Sequence, residues 1–138
     1  MGFLIDTSLW IAVERGKLSA ADIYALTKQE PIYVSPINLA ELRFGIELMT
    51  VTAQKHRALA MLRRIRRKPL IRITGETAET FGVLAVRLHA AGRGHAFRVQ
   101  DLWLAAQAVQ RDLTLLTANF KDFIDIPDLK VVSFPIPE

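Results

Sequence analysis

"DLWLAAQAVQRDLTLLTANFKDF", residues 101–123, decides the fold. Its first half is an apolar helical pattern opening on Asp101, and "LTLLT" (113–117) follows as a strand that empties into a polar turn. A helix of ten or more residues that delivers the chain into a strand is one half of a βαβ crossover. The same alternation recurs upstream and once downstream. "GFLID" (2–6), "PIYVS" (31–35), "PLIRIT" (69–74) and "KVVSF" (130–134) carry strand signals. Between them lie helical patterns. "TSLWIAVERGK" starts on cap residues and reaches Gly16 as a stop. A second begins at Ser35-Pro36, a cap followed by proline at the first helical position, and extends to about Met49. In residues 52–68, Ala58, Met61, Leu62 and Ile65 fall at offsets 0, 3, 4 and 7. Ala78, Phe81, Ala85 and Leu88 are spaced in the same way before Gly92. Strands separated by helices of this length predict an α/β fold with a central parallel sheet of about five strands and helices on both faces.

A chain of 138 residues suits one domain, 1–138, with a single core region to fill. Hydrophobic residues at 51% against 23% charged argue for a packed globule rather than disorder. No apolar run is long enough to span a bilayer and no signal-peptide pattern opens the chain, so a soluble, cytoplasmic protein without membrane association is expected. The absence of cysteine excludes disulfides, a thiol nucleophile and a thiolate metal site, and leaves oxygen and imidazole as the available ligands. Eight of the eighteen Lys and Arg residues crowd into "KHRALAMLRRIRRKPLIR" (55–72). Such a block is either a solvated helix face or a track for a polyanion.

In open parallel sheets, ligands bind outside the carboxyl ends of the strands. Asp6 closes the first strand and Asp101 opens a helix; each position also suits simple helix capping. Glu41 sits between Ala40 and Leu42, with Asn38 and Gly45 as its helical neighbours, which leaves room for something to approach. Glu47 points about 120° away and reads as a solvated or ion-paired residue. Asp122 leaves the same strand-end edge as Asp6, with Thr117 and Asn119 beside it. Asp125 is a further possibility there, and Asp128 beside Pro127 reads as a turn residue. If several of these carboxylates meet, each pair at about 4 Å repels by about 4 kcal/mol at an effective dielectric of 20. Raised pKa values or a divalent cation must offset that repulsion, and an all-oxygen donor set selects Mg²⁺ or Mn²⁺.

With these residues placed, the chain resembles the PIN-domain ribonucleases of the VapC toxin type. The matching segments are "FLIDTSLWIA", "SPINLAELRFGIE", "DLWLAAQAVQRDLTLLTANFKDF" and "IPDLKVVSF", which in this order cover most of the chain. The resemblance implies a PIN-like fold and a metal-dependent endoribonuclease, the toxin of a VapBC-type pair that inhibits translation or growth. It implies that Asp6, Glu41, Asp101 and Asp122 are the catalytic and metal-binding carboxylates, with Mg²⁺ (or Mn²⁺) as cofactor, and products ending in 5′-phosphate and 3′-hydroxyl. Thr7, Ser8, Thr117 and Asn119 would orient those carboxylates or their waters. Arg63, Arg64, Arg66, Arg67 and Lys68 become RNA-binding candidates. The expected partners are an RNA substrate, a cognate VapB-like antitoxin whose basic C-terminal segment enters the acidic groove, and a second copy in a homodimer.

The sequence departs from the family pattern in "GRGHAFRVQD", where His95, Phe97 and Arg98 precede Asp101 and Gln100 adjoins it. His95 is expected to be a loop residue or RNA contact, and His56 and His89 to be surface or packing residues. The apolar helix faces around Leu39, Leu42, Phe44 and Trp10 suit a core or an interface, with core the first expectation for any single residue. Two rival classes compete. One is a catalytically inactive PIN module that binds an antitoxin and assists operator repression, which Asp6→Asn would separate from a nuclease. The other is a phosphoryl-accepting receiver domain, disfavoured because Thr7-Ser8 follows Asp6 where a second acidic residue is wanted.

Overall fold

The computed structural model describes residues 2–93, 98–134 and 136. Among them, four strands form one parallel sheet in the order β2-β1-β3-β4: β1 (Phe3–Ile5), β2 (Ile32–Tyr33), β3 (Thr114–Thr117) and β4 (Lys130–Ser133). The first strand pairs with both neighbours, Leu4 opposite Tyr33 on one side and Leu115 on the other. Consecutive side chains then face opposite ways, as strand geometry requires. Ile5 and Leu116 enter one apolar cluster, Leu4 and Leu115 the other.

Six helices cover the two faces of the described sheet. Helices α1 (Thr7–Glu14), α2 (Ala20–Thr27), α3 (Pro36–Glu47) and α4 (Thr52–Ile65) supply the Ile5 side through residues such as Leu9, Ile23, Leu42 and Met61. Helices α5 (Gly75–Ala90) and α6 (Val99–Gln110) cover the Leu4 side through Leu84, Leu88, Leu102 and Ala105. The α/β expectation is met. The stripe Ala58, Met61, Leu62 and Ile65 is buried as its spacing predicts. Ser35 caps α3 in a reciprocal capping box with Asn38, directly before Pro36. Gly16 and Gly92 end their helices at φ +75 and +77, the left-handed region glycine enters without steric cost.

Four differences have identifiable causes. The expected strand in residues 69–74 is reduced to a single parallel bridge, Val34 to Leu70, flanked by two backbone hydrogen bonds. Leu70, Arg72 and Ile73 are exposed, so the hydrophobic pattern has little to bury, and the Ile71 carbonyl is taken by the buried Gln107 amide at 3.0 Å instead of a ladder partner. Helix α2 is additional. Its signal is the Ser19–Asp22 capping box, in a segment whose apolar stripe is short. On α5, Ala78 is exposed and Thr77 takes the inward position, donating its hydroxyl to Gln110. Phe44, expected in the core, is 69% exposed, because Leu42 and Ile46 already occupy the inward side of α3. His56 and His89 are exposed, while His95 and Phe97 lie outside the described residues.

Candidate active site

Asp6 follows β1 directly, at the carboxyl edge of the sheet's centre, and is 6% exposed. It occupies the N-cap position of α1, yet its side chain makes no capping bond. Its Oδ2 instead accepts hydrogen bonds from the Ser8 and Thr117 hydroxyls, both at 2.8 Å. Thr117 ends β3, the neighbour of β1, so the strand pairing itself brings that hydroxyl to Asp6. Both bonds fall on one oxygen, so Oδ1 is not engaged by them. The carboxylate is held without being neutralised.

Glu41 reaches the same place from α3. Thr7 donates its hydroxyl to Glu41 Oε1 at 2.8 Å and accepts a hydrogen bond from Asn38 Nδ2 at 3.0 Å. Asn38 also donates to the Ile5 carbonyl at 3.1 Å and accepts from Ser35 N at 2.9 Å. Asn38 is fully buried. The space expected beside Glu41 is therefore on the Gly45 side alone, since Asn38 is the anchor that binds α3 to the end of β1. A cavity of about 90 Å³ runs from Glu41 past Gly45 between α1, α3 and α4, lined by Ile11, Leu42, Ile46 and Met49.

Asp101 lies in the first turn of α6, which begins two residues earlier than the sequence pattern indicates. Burial first of all, and then the charges of Asp6, Asp122 and Glu41, push its pKa up from 3.8 to about 6, with Arg98 opposing. Burial likewise raises Asp6, against the lowering effect of the Ser8 and Thr117 hydroxyls, and the charge of Asp122 adds to the rise. Glu41 is raised by burial, lowered in part by Thr7 and raised again by Asp6. Asp6, Glu41 and Asp101 therefore each feel another acid's charge, and that of Asp122 reaches Asp6 and Asp101, as it would not for separate helix caps. Asp122 belongs to a short 3-10 turn, Phe120–Asp122, that follows β3.

Thr7, Ser8 and Thr117 thus each contact Asp6 or Glu41. Asn119 contributes its backbone N–H to Thr117 Oγ1 at 2.9 Å, with no side-chain cap on the turn it precedes. Asp125 is drawn away from the other acids. Arg98 grips it with Nη1 on Oδ2 at 2.8 Å and Nη2 on Oδ1 at 3.0 Å, and Arg93 adds a contact at 3.1 Å. These guanidinium bonds lower the Asp125 pKa. Asp128 has φ +62 and pairs with Arg87, which fits its expected turn role. Glu47 pairs with Arg43 and Lys55, as a surface residue should. Arg63, Arg64, Arg66 and Arg67 are exposed at and just beyond the end of α4. Lys68 is half-buried and engaged, donating to the Tyr24 hydroxyl at 2.8 Å and lying over the Tyr24 and Trp10 rings.

The buried Asn38 anchor and the Arg98–Asp125 pair are the parts sequence reading missed. For the first, the signal was the capping box of α3; the second has no periodic signature.

The donor set fits a hard divalent cation. It is entirely carboxylate oxygen, the pKa values of Asp6, Glu41 and Asp101 are raised in part by neighbouring acids, and the adjacent guanidinium is committed to Asp125. Among the described residues no three acidic or histidine side chains form a ready-made cage. That suits an ion which keeps several waters and takes only one or two carboxylates directly.

A PIN-domain family model matches residues 3–129. The chain is 31% identical to Ribonuclease VapC of Rickettsia bellii over the full length of both proteins. It is also 31% identical to Ribonuclease VapC5 of Mycobacterium tuberculosis, covering 84% of this chain and 82% of that one. Among solved structures, VapBC2 from Rickettsia felis bound to a promoter DNA fragment superposes with a TM-score of 0.82 at 24% identity, covering 97% of this chain and 99% of that one. VapBC-5 from Mycobacterium tuberculosis gives 0.75 at 25% identity, covering 96% and 98%. The chain belongs to the PIN-domain family, in its VapC-type branch.

Proposed function

We propose that this chain, as one PIN domain over residues 1–138, is a metal-dependent endoribonuclease and the toxin of a VapBC-type pair. The observation that carries the reading is that buried Asp101 feels the charges of Asp6, Asp122 and Glu41, while Asp6 and Glu41 are oriented by uncharged hydroxyls. Asp6, Glu41, Asp101 and Asp122 would hold Mg²⁺ or Mn²⁺, directly or through water. Such an ion, when bound, supplies a Lewis acid and an activated water for in-line attack on a phosphodiester.

The chain's own residues prepare that chemistry. Ser8 and Thr117 fix the rotamer of Asp6 through Oδ2. Thr7, itself held by Asn38, fixes Glu41 Oε1. Hydroxyl donors set direction without supplying a competing positive charge, so negative potential is kept for cations. Exposed Arg63, Arg64, Arg66 and Arg67 would steer a polyanion by long-range attraction, with Lys68 contributing less because of its ring contacts. The apolar cavity ending at Glu41 would receive apolar side chains of a VapB-like antitoxin while its basic segment meets the carboxylates. A homodimer in the cytoplasm completes the proposal. No helix among the described residues is long and apolar enough to cross a membrane.

The test is incubation of the antitoxin-free chain with transfer, ribosomal and messenger RNA in Mg²⁺, Mn²⁺ or EDTA, with Asp6→Asn alongside. Metal-dependent cleavage that disappears in the variant is expected. A folded, antitoxin-free chain that cuts no RNA with either metal would instead support the binding-only module.

A further inference from the structure

Arg98 poses a problem of charge. It stands at the N-cap of α6, three residues before Asp101, and its positive charge is felt at that carboxylate. A guanidinium in this position is a built-in competitor for any divalent cation that needs Asp101 or Asp122. Yet both of its Nη atoms are turned onto Asp125, at 2.8 and 3.0 Å, in the fork-on-fork geometry that suits arginine and carboxylate. The pair is largely removed from solvent, with side-chain exposures of 15% for Arg98 and 14% for Asp125. Arg98 Nη2 also donates to Asp122, and there it meets the backbone carbonyl, not the carboxylate. Arg93, 58% exposed, braces Asp125 from outside.

We propose that Asp125 is a positioning residue that diverts Arg98 from the site acids, leaving the Asp101 and Asp122 carboxylates unpaired for a divalent cation. Held this way, Arg98 pins the Phe120–Asp122 turn to the start of α6 through the backbone alone. Acidic residues crowd the segment after β3 for three reasons: Asp122 adds its charge to that of Asp6 and Asp101, Asp125 neutralises the site's own arginine, and Asp128 makes a turn. The inference rests on the reading of the site as a metal-dependent nuclease, and it makes an unusual demand of mutants. Removing Asp125 releases a competitor within reach of Asp101, so its harm is to metal affinity, and removing Arg98 as well should repair it. A clamp with a merely structural role predicts a double variant no better than either single one.

The experiment measures Mn²⁺ binding to the full, antitoxin-free chain by the loss of the free-ion electron paramagnetic resonance signal, with RNA cleavage by the wild type recorded in parallel. Asp125→Asn is expected to weaken Mn²⁺ binding by about tenfold or more. Arg98→Gln alone is expected to bind Mn²⁺ more tightly than Asp125→Asn, and the double variant to recover most of the lost affinity. Should Asp125→Asn fail to fold, Arg98→Gln decides: binding weakened by about tenfold or more relative to wild type overturns the inference. Wild-type affinity in a folded Asp125→Asn, or a double variant as weak as the single, also overturns it and leaves the nuclease reading standing. A wild type that neither binds Mn²⁺ nor cuts RNA removes both.

Discussion

The two halves of the acidic site are built by opposite means. Around Asp6 and Glu41, every side chain that orients a carboxylate is neutral: Ser8 and Thr117 on Asp6, and Thr7, backed by Asn38, on Glu41. Beside Asp101 and Asp122 stands a guanidinium, turned onto a fifth acid and touching Asp122 only at its backbone carbonyl. Hydroxyls arrive for free at strand ends and helix starts, since Thr117 closes β3 and Thr7 opens α1. The 3-10 turn bearing Asp122 is tied to α6 across a gap in sequence, and a long, multidentate side chain such as arginine can bridge it. The cost of a cation beside the site is offset by Asp125. Neutral scaffolding concentrates charge for a metal; charged scaffolding has to be cancelled locally to do the same.

The largest test of this contrast is Asp101→Asn. Cleavage of RNA should fall by about 100-fold or more, as when a ligand of the ion that stabilises transition-state charge is deleted. Metal-free stability should respond in the other direction. A carboxyl whose folded pKa is raised from 3.8 to about 6 binds its proton more tightly in the folded chain, so the fold loses stability as pH rises from about 4 to about 6 and stays at the lower level above that. Melting of the metal-free wild type should show this decline, and Asp101→Asn should flatten it. The contribution of Asp125 has the opposite sign. Its pKa is lowered by Arg98, so its stabilisation is present above the ordinary carboxylate range and fades only in stronger acid, outside this window.

A smaller effect is expected at Thr7, where the neutral half can be broken without touching a carboxylate. Thr7→Val removes the bond to Glu41 and leaves a buried Asn38 amide with one acceptor fewer, costing about 1–3 kcal/mol of stability by denaturant melting. Loss of an orienting partner should lower cleavage by about 10- to 100-fold. Thr7→Ser keeps the hydroxyl and should restore most of both. If Thr7→Val destabilises the protein but cuts RNA at the wild-type rate, Glu41 needs no orientation and the neutral half is mere packing.

Much of this was legible in the sequence where a local rule and the global fold agree. Ser35-Pro36 starts a helix, the α4 stripe is buried, and Asp6, Glu41 and Asp101 each feel the charge of at least one other acid singled out in the sequence. Legibility failed where partners are distant. Asn38 reads as a polar neighbour of Glu41 on a helical wheel, and only the approach of α3 to β1 turns it into a buried anchor. Asp125 looks as good a ligand as Asp122 by spacing. What separates them is an arginine 27 residues earlier, in a segment with no periodicity to place it. The strand pattern of residues 69–74 is misleading because its β-branched and apolar residues are not all buried: Leu70 and Ile73 are exposed at the edge.

The most direct measurement is a side-chain carboxyl titration by carbon-detected nuclear magnetic resonance on the antitoxin-free chain, with and without Mg²⁺. An Asp101 carboxyl titrating at about 6 in the metal-free protein, and moving to lower pH when Mg²⁺ is added, is the predicted result. An Asp101 that titrates like an ordinary aspartate and ignores Mg²⁺ would contradict the claim that these acids form one uncompensated, cation-seeking site.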